Sequence, residues 1–116
     1  MDKAYYHISE EALGEGAKTP LVKMKSSEEV FRAMADKMAD CILANNAAGR
    51  HTAFICPVGP VGQYPFFVER VNKERISLKN FWFFNMDEYL EDVDRYLDIN
   101  SPLSFRGFMN RVVYSQ

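Results

Sequence analysis

Two short apolar runs constrain this chain more than any other feature: HTAFIC at residues 51–56 and FWFFNM at 81–86. Both are rich in residues that favour a pleated conformation, and neither alternates polar with apolar. Near-continuous apolar character suits a strand covered on both faces, as in a parallel sheet. Between the runs lie a Pro- and Gly-punctuated loop, PVGPVGQYP, and the cluster Phe66, Phe67, Val68 and Val71, which predicts a short helix ending before Ser77. Strand, helix and strand make a βαβ unit, whose crossover is right-handed in nearly all cases and whose strands are parallel.

The surrounding segments extend this pattern. Ser26 followed by Glu29 fits a capping box, in which each side chain satisfies the other residue's free N–H. From there Val30, Phe31, Met34, Met38, Cys41 and Ile42 recur every three or four residues, opposite Arg32, Asp36, Lys37 and Asp40. That spacing predicts an amphipathic helix ending near residues 45–49. Pro65 suits a first helical position, and Ser101 with Pro102 reads as an N-cap and first-turn pair. Phe105, Phe108, Met109, Val112 and Val113 then predict a final helix running almost to Gln116. Residues 21–24 are a possible strand, and residues 1–20, with Gly14, Gly16, Pro20 and no sustained period, read as an N-terminal arm. The fold class is therefore α/β, a Rossmann-like parallel sheet flanked by helices, with residues 21–116 as its α/β portion. The strands are fewer than a doubly wound domain uses, so an incomplete, amino-terminal part of a larger fold is expected.

Composition narrows the function classes. With 14 Lys plus Arg against 16 Asp plus Glu, a net charge of −2 and a pI near 5.7, the chain has no basic footprint for a nucleic-acid backbone. No apolar run approaches the ~20 residues needed to span a bilayer, and the first residues lack the layout of a secretory signal. A cytoplasmic protein that binds neither nucleic acid nor membrane is the expectation. Cys41 and Cys56 have no CxxC spacing and read as buried thiols. Nine Phe and one Trp in so small a sheet would leave apolar surface uncovered, which predicts a homo-oligomer.

In a parallel sheet, ligands bind in the crevice at the carboxyl ends of the strands. Two loops qualify, residues 57–65 and 85–89. In the first, Gly59 and Gly62 let a backbone approach an anion closely, whereas Pro60 removes a donor, and the spacing is neither GxGxxG nor a Walker loop. A tight structural turn and an anion site both stand. In the second, Asp87 and Glu88 follow an apolar strand, and side chains of neighbouring extended residues point opposite ways. One carboxylate should enter the crevice, where burial beside Phe83 and Phe84 would raise its pKa and suit it to accept a proton. The plainer alternative is a solvated acidic loop. Ser104 either caps the last helix or meets a ligand. Glu91, Asp92, Asp94 and Asp98 lack the pattern of a calcium loop, and His7 and His51 are isolated, so no metal or cofactor is expected.

The segments FFNMDEYL and SPLSFRGFMNRVVYS resemble the amino-terminal half of the glucosamine-6-phosphate deaminase (isomerase) family, with its TFNxDEY segment and later xxFMxxxFF helix. SSEEVFRAMADKMADCILAN resembles that family's first helix, and HTAFICPVGPVG stands where it has a strand and a phosphate-binding Pro-Thr-Gly-Gly-Thr-Pro loop. The resemblance covers residues 21–116. It favours the deaminase branch over the sister 6-phosphogluconolactonases, which carry DER where this chain has DEY with Tyr89.

This resemblance implies a cofactor-free conversion of a phosphorylated amino sugar, glucosamine 6-phosphate, to fructose 6-phosphate with release of ammonia. It assigns Asp87 as the base that moves a proton between C1 and C2, with Glu88 supporting. Val58, Gly59, Pro60, Val61 and Gly62 would meet the sugar phosphate, with Ser104 nearby. Val58, Pro60 and Val61 replace both hydroxyls and one glycine of the family loop, which predicts weakened phosphate binding. The family's later Asp, His and Glu segment, which opens the sugar ring, and its phosphate-binding Lys have no counterpart here, so the chain alone is expected to be inactive. A non-catalytic sugar-phosphate-binding or oligomerisation module is the competing reading, and a 6-phosphogluconolactonase-like hydrolase a further one.

Overall fold

A computed structural model describes residues 4–92 and 94–116. Its main elements are helix α1 (Ser27–Ala47), strand β1 (Thr52–Cys56), helix α2 (Gln63–Glu74), strand β2 (Phe81–Asn85) and a short helix α3 (Phe105–Met109). A 3-10 turn at Ala4–His7 precedes them, and a π-helical turn at Asn110–Tyr114 follows. The architecture is α/β, built on a two-stranded parallel sheet.

The α1 start follows its capping residues, with one change. Ser26 Oγ accepts the Glu29 N–H at 3.2 Å, but the Glu29 carboxylate accepts from Lys25, at 3.0 Å, rather than from Ser26. Either arrangement satisfies a donor that the helix itself leaves free. The helix face that packs inward is also shifted from the expected one. Ala35, Ala39 and Ile42 are buried, whereas Val30 and Met34 are exposed. Two small residues one turn apart let α2 approach closely, and Phe67, Val71 and Ile76 complete this core. At the rim of the helix pair, Arg70 of α2 bonds Asp36 at 3.1 Å, Asp40 at 2.7 Å and Glu74 at 3.0 Å. Such exposed pairs are worth at most about 1 kcal/mol each, so they set the helix register more than the stability.

Helix α2 begins at Gln63, which makes Pro65 its third residue rather than its first. Proline is tolerated there because the first-turn N–H groups have no intrahelical partner. Between the strands the parallel register runs from Thr52 opposite Phe81 to Cys56 opposite Asn85. One face of the sheet is covered: Phe54 and Phe81 pack on the helix core, with ring centroids 5.2 Å apart. The other is open, with Ile55 68%, Trp82 57% and Phe84 52% exposed. The expectation of strands covered on both faces therefore fails among the described residues. The reason is that α1 and α2 both pack on the Phe54 and Phe81 side.

Three further expectations are corrected. Residues 21–24 form no strand; Lys23 instead reaches back to the carbonyls of Glu10 and Glu11. Residues 6–24 are almost wholly exposed, and the radius of gyration of 18.0 Å exceeds the roughly 13 Å of a compact chain this long. The last helix is capped by Ser104 and not by Ser101, whose carbonyl and hydroxyl accept from Ser104 and Leu103 in the turn before it. Finally, the regular helix stops at Met109 and widens into the π-helical turn. There the Tyr114 hydroxyl donates to Asn85 Oδ1 at 2.9 Å, which ties the chain's last turn to the end of β2.

Candidate functional site

Because Cys56 and Asn85 are register partners in a parallel pair, the loops after β1 and β2 leave the same edge of the sheet. The Met86 N–H donates to the Cys56 carbonyl at 3.0 Å and extends the ladder to the point where they diverge. This is the rim where parallel α/β proteins bind ligands.

The first loop is apolar and anchored inward. Val58 and Val61 pack against the cluster of Cys56, Tyr64 and Met109. The Tyr64 hydroxyl donates to the Pro57 carbonyl, and Gln63 Nε2 donates to the Pro60 carbonyl at 2.9 Å. Burial pushes the Tyr64 phenol well above its ordinary range, with the neighbouring Cys56 adding to the effect. It also raises the Cys56 thiol, which outweighs the hydrogen bond with Tyr64. Neither group is poised to ionise. Gly59 and Pro60 are exposed, and Gly59 has φ +153°, a backbone conformation that side chains rarely adopt. Gly62 has a different duty: a Cβ there would lie 2.3 Å from the Phe31 ring, so the glycine lets α1 pack against the start of α2. The N–H groups of Val58, Gly59 and Val61 have no protein partner among the described residues.

The second loop is organised by one carboxylate. Glu88 Oε1 accepts the N–H groups of Tyr89 at 3.0 Å and Phe105 at 2.8 Å. Its Oε2 accepts the Arg106 N–H at 2.8 Å and the Ser104 hydroxyl at 3.0 Å. Burial opposes the charge, but the donors at Arg106, Phe105, Ser104 and Tyr89 outweigh it and hold Glu88 below the usual carboxylate range. Ser104 serves both ends of this link, since its Oγ also accepts the Gly107 N–H at 3.0 Å. Gly107 in turn lies against the Ile99 carbonyl, where a Cβ would come within 2.0 Å. The clasp thus joins the end of β2 to α3 across a loop that includes the bridge Leu90 to Tyr96.

Asp87 sits beside the clasp and outside it. It is exposed, with no hydrogen-bond partner among the described residues. It lines a cavity of about 280 Å³ with Asn85, Met86, Glu88, Tyr96 and Arg106. Of the two neighbouring carboxylates, Glu88 is the one with structural partners. The carboxylate left over faces this cavity rather than an enclosed apolar crevice beside Phe83 and Phe84.

The structure therefore brings together Asp87 and Glu88, and links Ser104 to them through the clasp. Val58, Gly59, Pro60, Val61 and Gly62 share the rim but do not line the Asp87 cavity; Pro60 lines a separate one of about 450 Å³ with Cys56, Gln63 and Tyr64. Sequence reasoning missed Asn85, Tyr96 and Arg106. An Arg two residues past Ser104, a serine readable as a helix cap, was the available signal.

The chain is a parallel α/β unit with an unpartnered carboxylate, Asp87, just beyond the carboxyl end of β2 among the described residues. Over 92 residues it is 33% identical to the glucosamine-6-phosphate deaminase of Aliivibrio salmonicida (strain LFI1238), a match covering 77% of the chain. The chain is thus similar to part of a glucosamine-6-phosphate deaminase. The match spans 33% of the curated relative. No family model and no solved structure matches.

Proposed function

We propose that residues 21–116 are the amino-terminal portion of a glucosamine-6-phosphate deaminase in which Asp87 is the proton-transfer base. The observation that carries this reading is the division of labour between neighbouring carboxylates. Glu88 is consumed by four donors, while Asp87 is left without a partner on a cavity at the carboxyl end of β2. A carboxylate whose oxygens are not taken up by any donor of the chain is free to accept a proton from a ligand. In the reaction, Asp87 takes the proton from C2 of the open-chain amino sugar and returns it to C1. The resulting ketose imine then takes up water and loses ammonia, giving fructose 6-phosphate. Ring opening needs a further acid–base group, which this reading places outside residues 21–116. The phosphate end meets the rim at Val58, Gly59, Pro60, Val61, Gly62 and Ser104, and the protein works in the cytoplasm as a homo-oligomer. Among the described residues no helix is long and apolar enough to cross a membrane.

The test is turnover of glucosamine 6-phosphate by the intact natural gene product, read as fructose 6-phosphate and ammonia together. Asp87→Asn should lower kcat by about 100-fold or more, the usual loss for a proton-transfer group. Turnover unchanged by that substitution would remove Asp87 from the chemistry.

A second reading, a non-catalytic binding or assembly module, is favoured by the open face of Ile55, Trp82 and Phe84 and by the apolar Val58 and Val61. It predicts association without turnover. The lactonase-like reading is disfavoured by Tyr89, which stands where those relatives carry DER.

A further inference from the structure

The cavity beside Asp87 holds two opposite charges that do not neutralise each other. Arg106 and Asp87 both line it, and among the described residues neither takes part in an ion pair. Glu88, the other carboxylate of the cavity, accepts the Arg106 backbone N–H and is saturated by its four donors, so it is not paired with the guanidinium. The guanidinium is nevertheless held in place. Arg106 Nη2 donates to the Leu97 carbonyl at 3.2 Å, and the group lies over the Tyr96 ring, 5.9 Å from its centroid. Of five donors on a guanidinium, one is used within the chain, which leaves a fork of the shape that binds an oxyanion through two hydrogen bonds.

We propose that Arg106 is the anion-recognition residue of the Asp87 cavity, seating the phosphate or a similar oxyanion of a small ligand whose polar body reaches Asp87. This rests on the sugar-phosphate reading above for Asp87 and moves the phosphate contact from the first loop to Arg106. The first loop offers backbone N–H groups of Val58, Gly59 and Val61 but no cation; its Val58 and Val61 side chains pack on the apolar cluster, and Pro60 has no N–H to give. The backbone clasp makes the arrangement precise: Glu88 is the residue after Asp87 and fixes the Arg106 main chain at 2.8 Å, so carboxylate and guanidinium are held on one frame. At about 280 Å³ the cavity lies just under the roughly 300–1,000 Å³ usual for small-molecule sites.

The experiment follows backbone amide NMR shifts of the full chain during titration with glucosamine 6-phosphate, inorganic phosphate and unphosphorylated glucosamine. Glucosamine 6-phosphate should shift Glu88, Tyr96 and Arg106. Arg106→Gln should weaken its binding about 10-fold or more, the loss expected for a charged hydrogen-bonding partner. Arg106→Lys should recover part of that loss, and any weak binding of glucosamine should be unchanged. Because the clasp uses the Arg106 backbone, the amide spectrum of either variant should otherwise overlay that of the parent. Shifts centred on residues 58–62, equal affinity in Arg106→Gln, or no response to either phosphate probe would overturn the proposal. Equal affinity for glucosamine 6-phosphate in Arg106→Gln would do so while leaving the sugar-phosphate reading standing. Inorganic phosphate bound through Arg106, with no gain from the attached sugar, would support the anion site and sink the amino-sugar substrate instead.

Discussion

The two loops that leave the sheet side by side are built on opposite principles. After β1 the chain is fastened by apolar side chains: Val58 and Val61 are set into the cluster of Cys56, Tyr64 and Met109. After β2 it is fastened by a single charge, with four donors from Ser104, Phe105, Arg106 and Tyr89 converging on Glu88. The first device needs no ion and puts no charged side chain at the rim. The second places charged groups at the rim and leaves one of them, Asp87, unpaired beside a cavity. The charged side chains at this rim accordingly belong to the second loop, even though the glycines of the first draw the eye in the sequence.

The largest effect should come from Glu88→Ala, which strands four donors at once. Hydrogen bonds to a charged group are worth about 1.5–3 kcal/mol each but do not add in full, so a loss of about 3 kcal/mol or more is expected in urea unfolding. The pH dependence has a definite sign. Since the folded-state pKa of Glu88 is lowered, its stabilisation is complete above its unfolded value, about 4.3, and is lost as the pH falls through the lower folded value. Glu88→Gln should flatten the stability curve in that acid window, and an unchanged slope there would argue that the clasp is not ionic.

Ser104→Ala removes both the helix cap to Gly107 and one clasp donor, and should cost about 1–2 kcal/mol by the same measurement. In the first loop, Val58→Thr puts a hydroxyl where a methyl packs and should cost about 1 kcal/mol. No cost would mean that Val58 is not seated in the core. The smallest change is expected at Asp87. Having no partner, it can become Asn with stability altered by less than about 0.5 kcal/mol. A large loss would break the contrast with Glu88 and assign Asp87 a structural duty.

Much of this was legible in the chain itself. The two apolar runs and the intervening helical segment specified a parallel βαβ unit, and the Ser26 and Glu29 pair marked the start of α1. The adjacent carboxylates were recognisable as a pair with divergent duties, because extended backbone sends neighbours to opposite sides. What could not be read was which duty each had, since the partners of Glu88 lie 16 to 18 residues away at Ser104, Phe105 and Arg106. The inward face of α1 was misjudged for a related reason. Hydrophobicity favoured Met34 and Val30, whereas close packing selected Ala35 and Ala39, where α2 needs room more than apolar area.

Local order here was determined by sequence alone: strands from their residue types, helices from caps and periodicity, and the resemblance from a contiguous DEY segment. These depend on interactions within a few residues. The open sheet face, the inward set of Val58 and Val61, the saturation of Glu88 and the placing of Arg106 and Asp87 around one cavity were decided only by the tertiary structure. Each depends on which distant segment arrives to cover, fill or donate, and hydrogen bonds and close packing act over a few ångströms in space, whatever the separation along the chain.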